Sequence, residues 1–140
     1  MRAFCTGAVV LFLLRACCIA EVVGPPNELQ RKITAAKAKT TDGNYREARS
    51  DFDQLLRSDM LATHANASQK AEVYIGLATT LVNMDQFPAA VNLFELALRL
   101  NFSDIVQENV LKGAAIAGYT VALTKLGRFK QATRAAQQVL

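Results

Sequence analysis

An aromatic residue followed three positions later by alanine recurs along this chain every 42 residues. The three instances are Tyr45 with Ala48, Phe87 with Ala90, and Phe129 with Ala132. A constant interval of this size is typical of stacked supersecondary units, none of which buries a core alone. The sequence therefore predicts about three copies of one structural unit.

Each copy is predicted to consist of two helices joined by a short turn. In the second copy, Ala90, Phe94 and Leu98 follow the aromatic at a spacing that places them on one helix face. Upstream of it, Tyr74 and Leu81 share a face of the preceding helix. Both helices of a unit are thus expected to be amphipathic.

The turn between the two helices has its own signal. Gly43, Asp85 and Gly127 stand two residues before the three aromatics. Glycine is favoured where a helix ends in left-handed backbone, because it has no Cβ. We predict left-handed backbone at all three positions, with Asp85 the less suitable residue. Two further glycines, Gly113 and Gly118, are expected to permit close helix packing.

The order of Ala78, Asp85, Phe87, Ala90 and Phe94 resembles the consensus of the tetratricopeptide repeat (TPR). The resemblance covers residues 29–140, in units of about 29–66, 67–102 and 103–140. It implies an all-α fold, a right-handed superhelix (α-solenoid) of about three TPR-like helix pairs. The usual repeat has about 34 residues, so the surplus is expected between each second helix and the next first helix. The longer period is similar to that of kinesin-light-chain and nephrocystin-like repeats.

The amino-terminal residues have the composition of a targeting segment. An apolar run, Ala8–Leu14, follows Met1 and Arg2, and no acidic residue precedes Glu21. This favours a secretory signal peptide at 1–20, followed by a linker at 21–28. A retained membrane anchor formed by 3–20 is the alternative, and a mitochondrial presequence is a third reading. The leading interpretation places the protein in the secretory lumen or outside the cell.

Helix starts and the last helix carry further signals. Asn27 with Gln30 forms a capping-box pattern, and Ser103 or Asp104 is the candidate cap of the third unit. A terminal unit normally needs a polar outer face. Such a face is not evident in the last helix, because Ala132, Ala136, Val139 and Leu140 are expected to leave one side uncovered. Another chain, or a further part of a longer protein, is expected to cover it.

Residues suited to catalysis or metal binding are scarce. The three cysteines lie at 5, 17 and 18, inside the predicted signal peptide, and His64 is the single histidine. Asp51 and Asp53 are expected to be solvated. We find no set of nucleophile, base and orienting group and predict neither an enzyme nor a cofactor. A net charge of +4 without a basic stripe does not favour nucleic-acid binding.

The TPR resemblance implies that a protein or peptide partner binds the concave face formed by the first helices. By register, the partner-binding residues are Ile33, Lys37, Thr41, Glu72, Ile75, Thr79, Asn83, Ala117, Val121 and Lys125. The clamp with which chaperone-binding relatives hold a terminal carboxylate is absent as a set. The predicted function is a non-enzymatic interaction module or scaffold. The alternatives are a structural subunit that docks, or oligomerises, through its uncapped carboxy-terminal face, and a fragment of a longer TPR protein with a downstream catalytic domain.

Two sequons, at Asn66 and Asn101, fall in the predicted connections between units. Connections of this kind are exposed to solvent, and a sequon in a secreted protein is an acceptor for an N-linked glycan. We therefore predict that both asparagines are exposed and that both are glycosylated if the chain enters the secretory pathway.

Overall fold

The computed structural model describes residues 27–138, and all of their regular secondary structure is helical. The predicted all-α class is confirmed for this range. The predicted signal peptide, most of the linker, Val139 and Leu140 lie outside the described residues. The seven helices are α1 Glu28–Thr41, α2 Tyr45–Arg57, α3 Asp59–Thr63, α4 Ala67–Asn83, α5 Phe87–Leu98, α6 Ile105–Lys125 and α7 Phe129–Gln137.

Six of these helices form three consecutive pairs, α1 with α2, α4 with α5, and α6 with α7. The first helices also contact one another, α1 against α4 and α4 against α6. In addition, α2 packs on α4 and α5 packs on α6. Each pair therefore rests on the pair that follows it, and the apolar faces predicted from the sequence meet in the spaces between them.

The three turns within the pairs have the predicted backbone. The φ angles of Gly43, Asp85 and Gly127 are 83°, 58° and 73°. In each turn the amide of the following residue donates to a carbonyl five residues earlier, as in Gln86 N to Leu81 O at 2.8 Å. This bond and the left-handed residue together end a helix in the Schellman manner. Asp85 is the one non-glycine residue with positive φ in the described range.

Two phenylalanines join consecutive pairs through contacts that are 42 residues apart. Phe52 of α2 is fully buried against Gly76 of α4, and Phe94 of α5 is fully buried against Gly118 of α6. A methyl group on Gly118 would lie 2.7 Å from Phe94 Cε1, too close for two carbon atoms. Gly118 therefore permits close packing, as predicted. The same expectation for Gly113 is wrong, because a methyl group there would meet open space.

The hydrophobic core continues from one pair to the next. Its larger part joins α1 to α5 and includes Ala115 of α6, and a smaller part joins α5, α6 and α7 around Val91, Leu123 and Ala132. Ala132 is buried there, so its predicted place on an uncovered surface is wrong. Its side chain faces α6, the partner of α7 within the same pair. Ala136, by contrast, is exposed.

The residues that lengthen the repeat lie where the sequence predicts them, between second and next first helices. The first connection contains the short helix α3, which the periodicity did not indicate and whose Leu61 is buried in the core. The second connection has no helix between Leu98 and Ile105. Instead, α6 begins at Ile105, about one helical turn before the position that is equivalent to Ala67, where α4 begins.

Side-chain caps define the starts of the first helices. Asn27 accepts a hydrogen bond from Gln30 N at 2.8 Å, as predicted, and Asp104 rather than Ser103 accepts one from Val106 N at 2.9 Å. Asn66 and Gln69 form a reciprocal capping box at the start of α4. Caps of this type stabilise a helix by about 1 kcal/mol each.

The polar face of the first pair contains ion pairs that modify one prediction. Asp51 is not simply solvated, because its carboxylate lies 2.6 Å from Lys39 Nζ. Asp53 lies 3.7 Å from Arg49 Nε. The hydrogen bond to Asp51 raises the pKa of Lys39, although desolvation opposes this effect. Lys39 thus bonds across the first pair, from α1 to α2.

Candidate partner-binding surface

The first helices of the three pairs line one open groove of about 430 Å³. Helices α1 and α4 supply a polar wall, and α6 supplies a mostly aliphatic wall. The lining residues are Gln30, Lys37, Asn66, Ser68, Gln69 and Glu72 on the polar wall, and Val106, Gln107, Val110 and Leu111 on the aliphatic wall. A surface of this kind combines apolar contact area with a few oriented polar groups, as ligand sites usually do.

Hydrogen bonds between side chains fix the polar wall. Gln69 Nε2 donates to Asn27 Oδ1 and to Gln30 Oε1, both at 3.3 Å. Gln30 Nε2 donates to Glu72 Oε2 at 3.4 Å, and Lys37 Nζ lies 3.2 Å from the same oxygen. The Glu72 side chain is only 21 % exposed, so Lys37 compensates a partly desolvated negative charge. The wall therefore presents polar atoms in defined positions.

The aliphatic wall is unusually accessible to solvent. Val106 and Val110 are each 67 % exposed, and Ile105 beside them is 71 % exposed. They occupy the first turns of α6, including the turn by which α6 begins earlier in register than α4. Ser68 Oγ donates to Gln107 Oε1 at 2.6 Å and joins this part of α6 to the polar wall. The exposed aliphatic side chains of α6 are thus held at a fixed distance from the side-chain amides of Gln30 in α1 and Gln69 in α4.

Most residues predicted to bind a partner are on the surface, but few of them line this groove. Lys37 and Glu72 do so and form an ion pair. Ile75 is partly buried, whereas six others are exposed without lining the groove: Thr41, Thr79, Asn83, Ala117, Val121 and Lys125. The prediction for Ile33 is wrong, because this side chain is 0 % exposed.

The burial of Ile33 has a simple cause. Helix α4 lies against α1 and covers this position, whereas the equivalent Ile75 of α4 is partly buried. At the third equivalent position, Ala117 is exposed. One register position is therefore core in the first pair and surface in the last. Burial depends on whether a following helix is present.

Sequence reasoning assigned only two of the ten lining residues to a partner-binding face. Gln69, Val106 and Val110 lie in the first turns of their helices, upstream of the positions that the register assigns to a concave face. The available signal was the cap at Asp104, which starts α6 early enough to place Val106 and Val110 on one helical face.

The two sequon asparagines, Asn66 and Asn101, are exposed in the connections, as predicted.

Other candidate sites contain little chemistry. His64 is exposed after α3, and within residues 27–138 no cluster of histidine, cysteine and acidic side chains is arranged to hold a metal ion. Tyr119 donates to Glu95 Oε1 at 2.9 Å. Burial, followed by this hydrogen bond, raises the pKa of Tyr119. This pair links α5 to α6 and has a structural role.

Comparison with known proteins does not identify the chain. No protein-family model, curated protein or solved structure matches it. Among the helices of the described range, none combines the length and the apolar character needed to cross a membrane.

Proposed function

We propose that this chain is a non-enzymatic protein-interaction module of tetratricopeptide type. Its three helix pairs would form a right-handed superhelical array, with α1, α4 and α6 on the concave side. The repeated turn conformations and the repeated phenylalanine–glycine contacts support the array. The groove with one polar and one aliphatic wall carries the functional proposal, because it is the surface on which an extended or helical peptide finds both kinds of contact.

The walls also define the chemistry of the ligand. A peptide in the groove places apolar side chains against Val106 and Val110, which removes their exposed surface from water. Its backbone or polar side chains form hydrogen bonds with Gln30 and Glu72. The ligand is therefore a segment with alternating apolar and polar character, without a requirement for strong net charge, since Lys37 already compensates Glu72.

Peptide selection followed by mutagenesis tests this function. Peptides selected from a displayed random library on the full-length chain are labelled, and their affinity is measured by fluorescence anisotropy. Glu72→Ala, on the polar wall, is expected to weaken binding at least about tenfold, or ~1.4 kcal/mol. Arg46→Ala removes one charge from the exposed surface of α2, away from the groove, and is the matched control. Equal effects of both substitutions, or no selected peptide, would contradict the proposal.

We also propose that the protein enters the secretory pathway. The composition of residues 1–20 and the exposure of Asn101, which does not line the groove, support this location. Intact mass measured on the protein from its native cells, before and after deglycosylation, provides the test. Loss of residues 1–20 together with a removable glycan is the expected result. A full-length chain without glycan would refute this location.

A further inference from the structure

Helix α6 has a stripe of five apolar side chains and one threonine that faces solvent. The stripe consists of Val106, Val110, Ala114, Ala117, Val121 and Thr124, all of them exposed. Successive members are three or four residues apart, which places them on one face of the helix. From end to end the stripe extends about 27 Å at a rise of 1.5 Å per residue. A row of this length that no element within residues 27–138 covers indicates an interaction surface.

The stripe is arranged symmetrically about its own centre. Val106 and Thr124 lie at nearly equal distances on either side of residue 115, and so do Val110 and Val121. The central members are the smallest, Ala114 and Ala117, with Gly113 beside them. A methyl group at Gly113 would meet open space, so the middle of the helix is accessible to another backbone. Larger side chains towards both ends and small ones in the middle are suited to a crossing of two identical helices.

Charges at the two ends of α6 favour the antiparallel arrangement. Asp104 is exposed at the amino-terminal end, and Lys125 and Arg128 are exposed at the carboxy-terminal end. A two-fold rotation about an axis near residue 115 places Asp104 between Lys125 and Arg128 of an antiparallel second copy. The helix macrodipoles are then also opposed, which is the favourable orientation. Parallel packing would place like charges together instead.

We propose that two copies of this chain form a symmetric dimer through antiparallel packing of their α6 stripes. The two-fold axis passes near residue 115, so that Ala117 approaches its own equivalent and Val106 approaches Thr124 of the second copy. An isologous contact requires that residue i meets j while j meets i, and the stripe meets this requirement in its shape and in its charge. A second copy is therefore favoured over an unrelated helix. The inference does not depend on peptide binding in the groove.

The oligomeric state of the full-length chain provides the first test. Sedimentation velocity over a dilution series is expected to show a monomer–dimer equilibrium. Ala117→Glu places two carboxylates at the axis and is expected to raise the dimer dissociation constant at least tenfold. Ala35→Glu is the matched control, since Ala35 is exposed on α1, away from the stripe. A monomer at all concentrations, or a dimer insensitive to Ala117→Glu, would overturn the proposal.

Disulfide trapping tests the antiparallel register. The native cysteines, Cys5, Cys17 and Cys18, are first replaced by serine. Ala117→Cys is expected to form a disulfide with its own copy. Val106→Cys is expected to cross-link only when mixed with Thr124→Cys, because these positions are far from the axis and near each other across it. Self-cross-linking of Val106→Cys would instead indicate a parallel pair and overturn the antiparallel dimer.

The two proposals have separable outcomes. Val106 and Val110 belong both to the groove and to the stripe, so a groove-bound peptide and the dimer exclude each other. Glu72→Ala should weaken peptide binding and leave the dimer intact. Ala117→Glu should dissociate the dimer without weakening peptide binding, since Ala117 does not line the groove. Loss of both properties in either variant would show that one surface has been assigned incorrectly.

Discussion

Replacement of Asp85 by glycine should stabilise the protein, although it removes a charged side chain. Asp85 has a φ of 58°, whereas its equivalents Gly43 and Gly127 are glycines. The backbone of the turn is fixed by the hydrogen bond from Gln86 N to Leu81 O, so Asp85 cannot leave the left-handed region without breaking it. Within residues 27–138, its carboxylate has no hydrogen bond or ion pair that would be lost.

The magnitude follows from two opposing terms. Left-handed backbone costs an ordinary residue about 1–2 kcal/mol, and Asp85 falls in the lower part of this range because aspartate tolerates that region better than most residues. Glycine loses more backbone entropy on folding, which costs about 0.5–1 kcal/mol. Removal of a negative charge next to a helix carboxy terminus adds a few tenths of a kcal/mol of stability. We expect a net stabilisation of about 0.5–1 kcal/mol.

Asp42→Gly is the control, because it makes the same chemical change at a residue whose φ angle is negative. Asp42 is exposed at the end of α1, as Asp85 is at the end of α4, but its φ is −76°. Asp42→Gly removes the same charge, relieves no strain and should destabilise by about 0.5 kcal/mol. Urea unfolding of the two variants and the parent, followed by circular dichroism, measures the difference. Changes of the same sign in both variants would refute the assignment of strain to Asp85.

Three further predictions concern α6. Thr120→Ala should stabilise the fold by about 1 kcal/mol in urea unfolding, because the buried Thr120 hydroxyl has no hydrogen-bond partner within the described range. Gly118→Ala should destabilise by about 1–3 kcal/mol, since the added methyl overlaps the Phe94 ring. Tyr119 should titrate above the ordinary tyrosine pKa of 10.0 in an alkaline absorbance titration. The stability from its bond to Glu95 is then present below that pH and is lost as pH rises through the raised pKa.

Each of these predictions has a control on the same helix. Thr124→Ala removes an exposed hydroxyl that already bonds Thr120 O, and it should change the free energy of unfolding by less than about 0.5 kcal/mol. Gly113→Ala should stabilise by about 0.5–1 kcal/mol, because its methyl meets open space and alanine favours the helix. Tyr119→Phe should abolish the late-titrating signal. Destabilisation by Gly113→Ala similar to that by Gly118→Ala would exclude the proposed role of the ring contact.

Local features of the fold could be predicted because their causes are local. The left-handed turns depend on a few consecutive residues, and glycine or aspartate at 43, 85 and 127 was sufficient to locate them. The caps at Asn27 and Asp104 depend on one side chain and the next turn of helix. Helix α3 was missed because five residues are too few for a periodic pattern to be recognised.

The candidate site was predicted only in part, because register assigns a residue to a helix face without its surroundings. Lys37 and Glu72 line the groove, whereas Ile33, which register assigned to the same face, is buried. The ion pair between Asp51 and Lys39 also escaped prediction, since it joins two helices whose relative rotation the sequence does not specify.

By itself, the sequence determined that this protein is built from short amphipathic helices, where they turn and how often the unit recurs. The tertiary structure alone decided which equivalent positions became core and which became surface. Ile33 and Ala117 hold the same register position, yet one is covered by the next helix and the other faces solvent. Turn and cap energies arise from neighbours along the chain, whereas burial arises from neighbours in space, and only the packed helices specify those.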